Sequence, residues 1–474
     1  MSGEGREPRW DAADCVAGIR RTLSTATRSS YASQWPGSGH QRSSGGDGQY
    51  ELSLSSSVAR PFVYLLVCTV ALFAVRASSL AAELPSEQLV LQRVSEISGL
   101  KVKKEVPCLR LNDEALRKEI DQMIELQLPK GYLDAARICL AKFGIIGPDL
   151  DLKGKLISAY VKMAIGFYSP ATKRMILKDS LSPPVAEYIL AHELTHALQD
   201  QYVNLEKDLS DRTNSDKVLA LVSIVEGQAM MVAAEYAKRY MTQKQLAEVA
   251  ASGALLQKDT AGIPNFIRET MEFPYRKGPG LCSLVVQRKG MKGLVDALRS
   301  PPRSSEQVLS PDKYQDKPDL PVLISFKDME ALPGKSFEYL CHDVMGEFST
   351  ELLLRQFLSF GEAKSASKGW GGDLWAAYTS PAGVLLVWYT DWDTEGDATE
   401  FRSAVAKMLG ARYRTDLSGD QARTKDVSLY LEKKGRDVLL IDGPRETDVK
   451  ALAAKVWANV IQRDLNKEKR QLGS

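Results

Sequence analysis

Histidine is scarce in this chain: there are four in 474 residues. Cysteine is nearly as rare, with six and no C-x-x-C pair, which argues against a thiolate-rich metal ribbon. Charge of neither sign prevails, since 62 Lys and Arg stand against 60 Asp and Glu. The net charge of +2 excludes a global field that would recruit nucleic acid, and no block of basic residues supplies a local one. Lys101, Lys103 and Lys104 read as a solvated face. A long apolar run is also missing: the stretch from Phe62 to Val75 falls short of the ~20 residues that span a bilayer. Beyond residue 83 there is no low-complexity segment and no solenoid repeat.

The first 57 residues are rich in Ser, Gly and Arg without a sustained period, and they read as disordered. Composition changes abruptly at Val58, where a natural start of the chain is expected. Arg60 precedes the apolar run, and small residues follow it at Ser79 and Ala81. That order predicts a secretory signal over 58–82, cleaved near Ala81, or else an uncleaved signal anchor seated on residues 61–75. The expected location is therefore extracytoplasmic, with membrane contact only through that segment. In such a compartment Cys108, Cys139, Cys282 and Cys341 could form up to two disulfides, in a pairing that spacing alone leaves open.

The rest reads as α+β, in two parts. Residues 83–345 are mainly helical. Helices are expected from Asn112 to Leu128, Gly131 to Phe143, and Lys153 to Met163. The period then shortens to that of strands at Ala164–Tyr168 and Arg174–Leu177, joined by a turn at Ser169–Thr172. Ser182-Pro183-Pro184 opens the next helix, and another runs from Asp216 to Tyr240. Later helices are expected to break at Phe273-Pro274-Tyr275 and at Pro301-Pro302. Residues 346–474 alternate strand, strand, helix twice, which predicts a small α+β domain with an antiparallel sheet.

Two of the four histidines stand four apart, in His192-Glu193-Leu194-Thr195-His196. On a helix that spacing stacks both imidazoles on one face, where they can share one ion. Glu193 projects beside them and can reach a water on that ion. The expected cofactor is a single Zn2+ with Glu193 as general base, since bound zinc lowers the pKa of water to about 7. A catalytic zinc takes a third protein ligand. Glu226 interrupts an otherwise apolar stripe of Val222, Ala229 and Ala233, where a carboxylate is costly without a charged partner. Gly227 beside it permits close helix approach. Glu235 instead precedes Arg239 by one turn, as a solvated pair does. Glu206, Asp208 and Asp211 are outside candidates, better read as solvated charges. Gly369–Asp373 reads as a turn with a packing Trp, and Asp391 with Asp393 is a weak calcium candidate.

The segment from Ala191 to Gln201, followed by Val225-Glu226-Gly227-Gln228-Ala229, resembles the gluzincin class of zinc peptidases. More narrowly, it is similar to secreted bacterial proteins assigned as neutral zinc metallopeptidases. Gly166–Pro170, Phe273-Pro274-Tyr275 with Gly278, Ser305–Leu309, Gly346-Glu347 and Gly369–Asp373 also look like recurring segments of that group. Ser169 stands where such proteins often carry Asp, and Ser310-Pro311 where they carry His-Pro. The resemblance implies a zincin-like catalytic domain, Glu226 as third ligand and a peptide or protein substrate. In such folds an edge strand above the active-site helix binds extended substrate, and the hairpin could supply that edge. Tyr275 and His342 are candidates to stabilise an oxyanion. Two other readings stay open: a binding or scaffold protein with an idle zinc site, and a zinc hydrolase of a non-peptide amide such as a cell-wall component. Glu193 speaks against the former, because a purely structural site needs no base.

Overall fold

The computed structural model describes residues 84–163, 165–256 and 263–472, all within the unit Ala59–Ser474. The readings of residues 1–57 and of the 58–82 leader lie outside the described residues. The helical part begins with α1 (Glu87–Ser98), capped by the Ser86 hydroxyl, then β1 (Cys108–Leu111) and α2 (Asp113–Gln127). Next come α3 (Tyr132–Phe143), α4 (Leu152–Met163), β2 (Gly166–Ser169) and β3 (Arg174–Lys178). Helix α5 (Pro183–Asp200) carries the histidine motif. A single turn, α6 (Leu205–Asp208), leads to α7 (Ser215–Tyr240), α8 (Gln243–Leu256) and α9 (Asn265–Arg299).

β2 and β3 form the expected hairpin, with Phe167 opposite Ile176. β1, which has no periodicity of its own, adds to the other side of β3 in parallel, so the order is β1-β3-β2 and β1 and β2 are the edges. α9 departs from expectation. It runs on through Pro274 and Pro279, and its one non-helical residue is Gly290 (φ 65°). Packing outweighs the proline penalty of ~3 kcal/mol here: Phe273 is buried with its ring centroid 4.1 Å from that of Phe348.

Among the described residues the most extensive helix contact is between α7 and α9, and glycine makes it possible. A Cβ on Gly227 would sit 2.4 Å from the Gly278 carbonyl carbon, and one on Gly278 would sit 2.1 Å from the Ser223 carbonyl oxygen. Only bare backbone fits at both positions. α7 is the one helix among the described residues long and apolar enough to cross a bilayer. It is mostly buried inside the protein as a core helix.

The C-terminal part follows after α10 (Ser305–Leu309) and α11 (Asp312–Gln315). Its strands are β4 (Leu323–Phe326), β5 (Glu338–Asp343), β6 (Trp370–Ser380), β7 (Gly383–Trp392), β8 (Gln421–Arg423), β9 (Val427–Lys434), β10 (Asp437–Pro444) and β11 (Val460–Arg463). The helices between them are α12 (Gly346–Leu354), α13 (Phe360–Ser367), α14 (Glu395–Tyr413) and α15 (Val449–Asn459), and α16 (Leu465–Leu472) ends the described chain. The repeated strand-strand-helix order stands, and it builds one antiparallel sheet ordered β5-β6-β7-β10-β9-β8. β5 lies before the expected boundary at 346, so the sheet begins earlier than the hydrophobic pattern indicated. Alternation decides its two faces. Leu374, Ala376, Tyr378, Val387 and Ile441 pack under Leu452 and Val456 of α15. Trp375 and Trp388 face the other way and receive Phe143 of α3 edge-on, at 5.4 and 5.7 Å.

Buried carboxylates join the two parts. Asp373 on β6 accepts hydrogen bonds from the Gly346 N–H (2.9 Å) and from the indoles of Trp370 (2.9 Å) and Trp388 (3.0 Å). Asp343 on β5 accepts from the Ser215 N–H at the start of α7 (2.7 Å). Asp216, one residue on, accepts from the Ser305 N–H (3.0 Å), and the Ser305 hydroxyl accepts from the Phe348 N–H (3.1 Å). The N-terminus of α7 is thereby tied to the sheet.

Two predictions follow from this packing. Gly278→Ala lowers stability by about 1–3 kcal/mol in denaturant unfolding, through overpacking. Gly280→Ala, where a Cβ meets open space, is neutral or stabilising; equal effects of the two would refute the close crossing. Burial raises the Asp216 carboxyl to about 8 and that of Glu347 to about 7. Both lie above the unfolded value near ~4, so the native state binds more protons between those limits. The stability these groups add is complete below about pH 4 and is lost as pH rises through 7 to 8. The unfolding midpoint is expected to fall between about pH 5 and 8, and less steeply in Asp216→Asn; an identical slope in that variant would exclude Asp216 as a source.

Candidate metal centre

Helix α5 presents its motif inward. His192, Glu193 and His196 are all buried, between β2 on one side and α7 on the other. Glu226 of α7 enters the same point and is fully buried. Its Oε2 lies 3.2 Å from His192 Nε2 and 3.6 Å from His196 Nε2, and the two Nε2 atoms are 3.1 Å apart. Two imidazole nitrogens and a carboxylate oxygen thus converge on one spot, as a group that could hold a metal ion. The Glu226 Oε1 atom is buried without a hydrogen-bond partner. Burial would raise the Glu226 carboxyl, but the facing imidazoles of His196 and His192 reverse this and hold it at about 2. Burial also pushes the His192 pKa down, favouring the neutral ring whose lone pair a metal needs.

Gln199 fixes the second ring. His196 Nδ1 meets Gln199 Oε1 at 2.8 Å, and Gln199 Nε2 donates to the Val225 carbonyl (2.9 Å) and to Gln228 Oε1 (2.9 Å). The Val225 carbonyl can only accept, so the amide oxygen must face His196, and Nδ1 is then the protonated nitrogen. Burial would lower the His196 pKa, but the Glu226 and Glu193 carboxylates and the Gln199 hydrogen bond raise it, so a proton on Nε2 faces Glu226, and a metal ion would take that proton's place. The same side chain bridges α5 to the residues flanking Glu226. Its place one turn after His196 was visible in the sequence; its role was not.

Glu193 is held by backbone. The Tyr168 N–H on edge strand β2 donates to Glu193 Oε2 (3.0 Å). The Tyr168 hydroxyl donates to Asp200 (2.7 Å), which also takes Lys173 (2.8 Å) and the Leu205 N–H (3.1 Å). A small cavity beside the cluster is walled by Tyr168, His196 and Glu226 and by apolar Leu205, Leu209 and Val222.

The other candidates lie elsewhere. Glu235 pairs with Arg239 at 2.5 Å, as its spacing indicated. Glu206 and Asp208 are exposed, and Asp211 pairs with Lys217 at 3.0 Å. Tyr275, on α9, does not line the cavity. Nor does His342, on β5, whose Nδ1 meets the Tyr339 hydroxyl. Tyr168 is the tyrosine found there instead. The calcium reading of Asp391 and Asp393 gives way to protein cations. Asp391 pairs with Arg436 at 3.1 Å. Asp393 joins Glu306 and Asp319 around the Lys313 ammonium, at 2.8, 2.6 and 3.1 Å.

One family model matches, for a domain of unknown function (DUF8575), over residues 338–453. That span covers the six-stranded sheet from β5 into α15 and contains none of His192, Glu193, His196 or Glu226. No curated protein and no solved structure matches the chain.

Glu226→Ala is expected to weaken metal binding well beyond any effect of Glu235→Ala, measured by chelator competition; the reverse order would reassign the ligand. Gln199→Ala, with every ligand retained, lowers the same affinity by about 10–100-fold, and an unchanged affinity would show that the ring needs no such support.

Proposed function

We propose that this protein is an extracytoplasmic zinc metallopeptidase of gluzincin type, with a zincin-like helical catalytic part. The observation that carries the reading is the meeting of His192, His196 and Glu226 within one buried point, with Glu193 held beside them. A tetrahedral ion with Zn–N bonds of ~2.0–2.1 Å separates its donors by about 3.3 Å. The separations of 3.1, 3.2 and 3.6 Å suit that geometry. Two neutral imidazoles and one carboxylate are the donor set of several catalytic zinc sites, and a fourth position is left for water.

When bound, zinc supplies a water of pKa about 7 and a Lewis acid for the scissile carbonyl. Glu193 is the residue that would accept a proton from that water and return it to the leaving amine. The Tyr168 N–H aims the Glu193 carboxylate. β2, the edge strand that touches Glu193, is the one beside which an extended substrate would pair. The apolar wall of Leu205, Leu209 and Val222 excludes water from one side of the cluster. A base placed within reach of the ion favours an enzyme over an idle site. The peptide substrate rests on the resemblance of Ala191–Gln201 and Val225–Ala229 to gluzincins, as does the zincin-like fold.

The test combines metal analysis with a peptide-library cleavage screen. Purified protein is expected to hold about one zinc and to cleave peptides. Glu193→Gln keeps the zinc and loses at least about 10²–10⁴-fold in turnover. Undiminished turnover would remove Glu193 as the base, and a metal-free preparation at neutral pH would defeat the reading as a whole.

A further inference from the structure

Cys139 on α3 and Cys341 on β5 are 202 residues apart in sequence, yet their sulfur atoms lie 3.1 Å from each other. Both side chains are fully buried. Among the described cysteines no other two sulfurs meet: Cys108 faces the Val106 carbonyl and Cys282 the Ile224 carbonyl, each at 3.6 Å. A disulfide bond is about 2.0 Å long, so roughly 1 Å of closure separates this thiol pair from a covalent link. The surroundings hold the two elements in place. One turn beyond Cys139, Phe143 packs edge-on against Trp375 and Trp388. Lys142 pairs with Asp442 of β10 at 2.7 Å, and Arg412 of α14 donates to the Ala141 carbonyl at 3.3 Å. The Cys341 strand is registered against β6 with His342 opposite Ala376.

We propose that Cys139 and Cys341 form an intramolecular disulfide that staples helix α3 to the edge strand of the six-stranded sheet. Two S–H bonds break and one S–S bond forms. The two electrons and two protons pass to a disulfide oxidant such as oxidised glutathione, which leaves as two thiols. Exchange proceeds through a thiolate. Burial drives the Cys341 thiol well above its ordinary range, and both sulfurs are shielded from solvent. Once formed, the bond is sealed from reductant by the burial of both residues. Closing so long a loop removes much freedom from the unfolded chain. This proposal is independent of the metal centre.

The full chain is refolded in a mixture of reduced and oxidised glutathione, denatured, alkylated without reductant, and digested for peptide mapping by mass spectrometry. The expected result is one cross-linked pair containing Cys139 and Cys341, with Cys108 and Cys282 recovered alkylated. Finding Cys139 and Cys341 both alkylated, or either joined to a different cysteine, overturns the proposal. The oxidised protein should also unfold several degrees above the same protein refolded under reductant. Equal midpoints, with the cross-link present, would refute its role as a staple. Cys139→Ala, oxidised in parallel, is expected to lose the increment.

Discussion

A carboxylate at the centre of a hydrophobic helix is the constraint around which the helical part is arranged. Glu226 sits in the middle of α7 with no exposure to solvent. Its ionised form survives because two imidazoles from α5 face it. Burial of an isolated charge is costly enough that α5 and α7 must stay in register for the fold to tolerate it. Gln199 enforces the register by bonding His196 on one side and the Val225 carbonyl on the other. Gly227, next to Glu226, lets α9 press against α7 from the opposite side. The residue that defines the site and the residue that defines the packing are thus neighbours in sequence.

The segments without obvious chemistry prove to be joints. Asp373, in the glycine-rich entry to β6, gathers the Gly346 backbone and two indoles. Asp343 and Asp216 hold the start of α7 between β5 and α10. Gly346, at φ 74°, lies so close to Asp216 that a Cβ there would overlap its carboxylate. These contacts set where α7 begins, and hence the height at which Glu226 meets the histidines three turns later. The C-terminal sheet acts as a foundation for helices α5 and α7, although none of its residues lines the cavity beside His196 and Glu226.

Acidic residues illustrate why a side chain's type is a weaker guide than its surroundings. Glu226, Glu235 and Glu306 look alike in a sequence. One faces two imidazoles in a sealed interior, one pairs with an arginine a turn away, and one shares a lysine with two aspartates. The first was separable beforehand by its apolar stripe and the second by its spacing to Arg239; the third was not. The acidic group around Lys313 has the spacing of a cation site, yet the protein supplies its own cation from a residue that no local pattern connects to Asp393.

Local periodicity determined the helix carrying His192, Glu193 and His196, the hairpin before it, the Glu226 helix and the twice-repeated strand-strand-helix order. Each depends on side chains a few residues apart, so each was legible in the sequence alone. Tertiary structure decided what depends on distant partners or on backbone. β1 joins β3 from more than 60 residues away, and β5 adds itself to the sheet across a helix pair. The Tyr168 N–H that aims Glu193 is a main-chain group, which every residue but proline possesses and no sequence motif marks. Tyr275 and His342 carry suitable chemistry but are placed outside the cavity, because α9 and β5 are positioned by packing that neither residue controls. The sequence therefore determined which groups could bind a metal and take a proton; the fold decided which of them meet.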